Sequence, residues 1–73
     1  MEHYRVLAWD NNKKMITLVS SFLWCEDLEK IYEDNLGRFP YLALISCRSR
    51  FLGLEIVKVF RKCVYCGKVV KND

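Results

Sequence analysis

The residues predict a small α+β fold, with an antiparallel or mixed sheet in β-β-α-β-β order and one helix packed on one face. Three features carry that expectation. Two runs of strand-forming residues flank a polar Asp10-Asn11-Asn12-Lys13. A stretch with helical apolar spacing comes next, and a second pair of β-rich runs follows Pro40. At 73 residues the chain has room for one core, so 1–73 is read as a single domain.

Tyr4 to Trp9 and Met15 to Val19 form the first hairpin. With Asn11-Asn12 as a two-residue loop, Trp9 faces Lys14, Leu7 faces Ile16 and Val6 faces Thr17, so one face carries Leu7, Trp9, Ile16 and Leu18. From Ser21 the period changes. Trp24, Leu28, Ile31, Tyr32 and Leu36 share one side of a helix, and Glu26, Asp27 and Glu29 occupy its early turns, where the helix dipole favours carboxylates. Gly37 supplies a left-handed residue after the helix, and Pro40 blocks its continuation.

Tyr41 to Cys47 is apolar on both faces until Ser46, which suits a central strand covered on two sides. Arg48 to Gly53 is polar and marked by glycine, and is read as a turn or loop. Leu54 to Val64 is β-branched and forms a further strand. A helix is the runner-up there, because Leu52, Ile56, Val59, Phe60 and Cys63 also fit a helical face. Cys63 to Lys68 is a tight turn leading to a short strand at Val69-Val70.

The composition, 52% hydrophobic and 14% aromatic with one proline, is that of a packed globule. Charges at Glu2 and Arg5 break the basic-then-apolar order of a secretion signal, and the longest uncharged apolar run, Phe39 to Cys47, is far below the roughly 18 residues of a membrane span. The expected setting is the reducing cytoplasm, away from membranes. There the four cysteines serve as thiols, metal ligands or redox groups more often than as cross-links, with disulfide pairing still open.

Net charge is +3 but unevenly spread. Residues 26 to 34 hold Glu26, Asp27, Glu29, Glu33 and Asp34 against Lys30, a local net of −4. Residues 48 to 71 hold Arg48, Arg50, Lys58, Arg61, Lys62, Lys68 and Lys71 against Glu55, a local net of +6. Placed on different faces, these segments make an electrostatic dipole able to engage a macromolecular partner of opposite charge. The basic residues are interleaved with Phe51, Phe60 and Tyr65, a composition that also suits phosphates and unpaired bases. Against this, the charges can equally be the solvent side of strands whose aromatics point inward.

Cys63-x-x-Cys66-Gly67 is the most informative motif, because a glycine after the second cysteine lets both sulfurs face one point, half of a tetrahedral zinc site. The run Lys62-Cys63-Val64-Tyr65-Cys66-Gly67-Lys68 resembles the knuckle of zinc-ribbon and rubredoxin-like proteins, which carry two such knuckles where this chain carries one. Completing the site requires Cys25 and Cys47 to converge on the turn, or a second chain to donate its own knuckle. The alternative is that Cys63 and Cys66 are unligated thiols and Cys25 and Cys47 small core residues. His3 is read as a surface histidine at a strand start, and its pairing with Cys25 as base and nucleophile is not asked for by the spacing. No phosphate-cradling loop or nucleophile elbow occurs.

Two function classes follow. The first is a small non-enzymatic protein-binding module that acts by occupying a partner's surface, through Glu26, Asp27, Glu29, Glu33 and Asp34 or through Arg48, Arg50, Lys58, Arg61, Lys62 and Lys68. In size and cysteine content such a chain resembles the short accessory reading frames of bacteriophages and mobile elements, many of which inhibit host machinery. The second is a zinc-knuckle nucleic-acid binder built on Cys63, Cys66 and the basic C-terminal third. An enzyme would survive only as a redox C-x-x-C. An unpaired edge strand would also make a homodimer easy to form.

Overall fold

A computed structural model describes residues 2–51 and 53–62. It shows an α+β chain with a small antiparallel sheet and one helix. The elements are β1 (Glu2–Trp9), β2 (Met15–Ser21), α1 (Glu26–Asp34), β3 (Tyr41–Arg50) and β4 (Gly53–Lys62). The strands lie in the order β2-β1-β3-β4, so the first and third in sequence are central and the second and fourth are the edges among the described residues.

β3 is the strand its composition implies. Leu42 to Cys47 are buried without interruption, because alternate residues feed two apolar layers. One layer holds Val6, Ala8, Leu42 and Leu44 with Leu28 and Tyr32 of α1, and Tyr4, Leu18, Val19 and Ile31 pack around it. The other holds Leu7, Trp9, Ala43, Ile45 and Cys47, with Met15, Leu54, Ile56 and Val59 against it.

The first hairpin departs from the expected register. Trp9 pairs with Met15, Ala8 with Ile16 and Leu7 with Thr17, and an irregularity between Val6 and Leu7 then brings Val6 opposite Val19. The cause is the turn. The Asp10 carboxylate accepts the N–H groups of Asn12 and Lys14, each at 2.9 Å, and Lys13 adopts φ 62°, so the loop is longer than Asn11-Asn12 alone. A one-residue slip exchanges faces. Leu7 and Trp9 therefore lie in the second layer, while Leu18 packs against the first.

The polar stretch after Cys47 is likewise not a loop. β3 continues to Arg50, which pairs with Gly53, and the charged side chains are accommodated by cross-strand partners. Glu55 receives Arg50, with Nη2 at 2.5 Å, and Arg48 lies between Glu55 and Glu2. Gly53 to Lys62 is strand, not helix. The expected turn at Cys63–Lys68 and the strand at Val69-Val70 lie outside the described residues. Gly37 has φ 87°, the left-handed conformation foreseen for it, just past the Asn35 that ends α1. Among the described residues no helix is long and apolar enough to cross a membrane.

Candidate functional site

The connection from β2 to α1 presents Phe22, Leu23 and Trp24 to solvent at 70%, 77% and 44% exposure. The segment is held in shape. The Ser21 hydroxyl donates to the Leu23 carbonyl at 2.6 Å and accepts the Leu23 N–H at 3.2 Å, a local turn that fixes the three side chains between strand and helix. Phe22 packs against His3, with ring centres 5.9 Å apart. Trp24 stands edge-on to Tyr4 at 5.5 Å and to Phe60 of β4 at 5.1 Å. Lys58 Nζ sits 5.2 Å from the centre of the Phe60 ring.

Single exposed apolar residues are ordinary, but three large ones in a row suit an interaction surface, here with Phe22 resting on His3 of one sheet face and Trp24 on Tyr4 and Phe60 of the other. Covering one such side chain is worth about 1.5–3 kcal/mol. Trp24, expected on the apolar side of the helix, instead precedes α1, and Phe22 and Leu23 beside it had no assigned role. The available signal was three large apolar residues in a row between a strand and a helix, more than one core direction can absorb.

The charged residues are arranged less simply than two opposed faces. Glu26, Asp27, Glu33 and Asp34 are exposed on α1. Glu29 instead receives two hydrogen bonds from Arg61 of β4, at 3.0 Å and 2.7 Å, so the acidic and basic segments meet there. That hydrogen bond holds Arg61 still further into its charged form. Arg48 and Arg50 are turned toward Glu2 and Glu55. These pairs are largely solvated and add little to stability, so their main effect is to offset positive charge that would otherwise face a phosphate backbone. Lys62 is exposed, and its carbonyl accepts a hydrogen bond from the Tyr32 hydroxyl. Lys68 lies outside the described residues.

His3 corrects its expected surface position. It is 6% exposed, lying across the sheet from Cys47, whose Sγ is 3.5 Å from His3 Nε2. Arg5 Nε donates to that same nitrogen at 2.8 Å. The alternation His3, Arg5, Leu7, Trp9 was the clue, since it assigns His3 to the face of Leu7 and Trp9. Burial pushes the Cys47 thiol above its ordinary pKa, with the Arg5 charge opposing. A proton-holding thiol beside a nitrogen already occupied by Arg5 is poorly arranged for nucleophilic chemistry.

Cys25 is exposed at the start of α1, and Cys47 is buried. Cys63 and Cys66 lie outside the described residues. Among the described residues no three potential ligands are grouped. Comparison with family models, with curated proteins and with solved structures returns no match.

Proposed function

We propose that the chain is a small non-enzymatic module that binds a protein partner by offering Phe22, Leu23, Trp24 and Phe60 as apolar anchors beside the carboxylates of α1. In this reading the β-β-α-β-β chain, with its helix laid on one sheet face, is the scaffold. Its carboxylates set orientation, and the aromatic residues supply most of the affinity. The observation that carries the proposal is the fixed, exposed aromatic run between β2 and α1.

The placement of acid along the helix supports it. Glu33 and Asp34 occupy the last turn, where no basic residue lies and where the dipole disfavours carboxylates by roughly 0.3–1 kcal/mol each. A surface that gives up helix stability for negative charge suits a basic rim on a partner. Interference with host machinery, as in phage or mobile-element accessory proteins, is one setting for such a module.

The test is affinity capture from a lysate with wild type, with Leu23→Ser and with Asp34→Lys, each checked for fold by circular dichroism. One protein should be retained stoichiometrically by wild type, lost with Leu23→Ser and weakened in a salt-dependent way with Asp34→Lys. Retention of nucleic acid instead, with bound zinc detected by metal analysis, would transfer the assignment to the zinc-knuckle alternative built on Cys63 and Cys66.

A further inference from the structure

We infer that the partner segment received at this surface is an extended proline-rich peptide with basic residues at one end, laid across the rings of Tyr4, Trp24 and Phe60. The inference rests on the protein-binding reading above and names the chemistry of what is bound.

The three rings touch one another on the helix side of the sheet. Trp24 stands at 86° to Tyr4 and at 60° to Phe60, Tyr4 lies at 49° to Phe60, and every pair of ring centres is within 5.9 Å. Rings inclined in this way leave notches, and a prolyl ring is a rigid apolar unit that fits one. Trp24 and Phe60 remain open to solvent.

Hydrogen bonding narrows the occupant. The Trp24 indole N–H and the Tyr4 hydroxyl have no hydrogen-bond partner among the described residues, and an indole can only donate. A polyproline backbone is the complement, because its carbonyls are free and at each proline it has no N–H to satisfy. A helical peptide engages its carbonyls internally and needs a continuous apolar groove. Here Arg61, the residue after Phe60, is tied to Glu29 of α1 and sets a charged pair across that line.

Charge gives the direction. Lys58 Nζ already lies over Phe60, whereas Glu26 and Asp27, two and three residues after Trp24, are exposed and unpaired among the described residues. Their Cα atoms are at most about 11 Å from that of Trp24. Basic residues of the peptide therefore belong at the Trp24 end. Single-stranded nucleic acid would stack on the same rings, but its phosphates would meet those two carboxylates.

Isothermal titration calorimetry on the full chain is the test, with a ten-proline peptide that carries two arginines at one end. Wild type should bind it with a shift in tryptophan emission, a signal that comes from Trp24 because Trp9 is 1% exposed. Replacing the arginines by glutamates should weaken binding roughly tenfold, and replacing the prolines by alanines should abolish it. Tyr4→Phe, which keeps the ring, should cost about two- to tenfold and Trp24→Ala roughly thirtyfold, each with its fold confirmed by circular dichroism. Glu26→Lys/Asp27→Lys should prefer the glutamate peptide. Absence of binding by wild type, equal binding of the alanine peptide, indifference to the peptide's charge, or binding of a ten-residue oligothymidylate in its place would each overturn the inference. A protein captured through Leu23 that the proline peptide fails to displace would overturn it and leave the wider binding module standing. A peptide that binds where no protein is captured would uphold the aromatic site and count only against the Leu23 surface.

Discussion

β4 closes one side of the sheet with Glu55, Lys58, Arg61 and Lys62 distributed along its length, whereas β2 closes the other with seven residues none of which is charged. The backbone repeats the contrast. The β3–β4 ladder is interrupted twice, between Leu44 and Ile45 and between Ser46 and Cys47, and the β1–β2 ladder once. Irregularities and charges both make an edge a poor template for another strand. Among the described residues β4 is therefore the charged edge and β2 the uncharged one, although both are attached to the same pair of buried central strands. An edge's fate is set by side chains that contribute little to the core, so it can change without the fold changing.

The largest expected effect comes from detaching the charged side. Ile45 is fully buried, pairs with Val59 and belongs to the layer against which Leu54, Ile56 and Val59 pack. Ile45→Ala should cost about 2–5 kcal/mol in urea unfolding. By hydrogen exchange, protection of β4 should fall more than that of β2, whose Leu18 and Val19 pack against the other layer. Equal losses on both sides would mean that the two layers act as one cooperative unit.

Cys47 gives a smaller, pH-dependent probe of the same layer. Both folded and unfolded states hold the thiol proton below the ordinary thiol pKa of about 8.5. Above it the unfolded chain ionises first, because burial keeps the folded thiol protonated. Stability should then fall with rising pH, by at most about 1.4 kcal/mol per pH unit, until the buried group ionises too. The difference between wild type and Cys47→Ala across this range isolates the effect. A constant difference would show that the thiol is not ionising differently in the two states.

The α+β class and the central strand were legible because they rest on patterns spread over many residues, such as the unbroken apolar run from Tyr41 to Cys47. What escaped depended on single contacts. The hairpin register follows from one carboxylate, Asp10, capturing two backbone N–H groups, and no periodicity reports that. Arg48 and Arg50 looked like loop residues because their partners, Glu55 and Glu2, lie on neighbouring strands. His3 looked superficial for its place near the terminus, although Phe22 and Cys47 enclose it. The aromatic surface was hidden for a related reason. Apolar residues are assigned inward by default, and only the packed arrangement shows which ones the core has no room for.

The smallest effect tests how the charged edge is tied to the helix. The Tyr32 hydroxyl donates to the carbonyl of Lys62, the last residue of β4, while the ring is buried in the helix-side core. Tyr32→Phe keeps the ring and removes the donor, leaving the carbonyl to find water, for an expected cost of about 1 kcal/mol. The loss should appear as faster exchange at the end of β4, with β2 unaffected. Should β2 respond equally, the bond would be part of the global fold. A response confined to β4 would mean that α1 fastens one edge of the sheet by a specific hydrogen bond and leaves the other to packing.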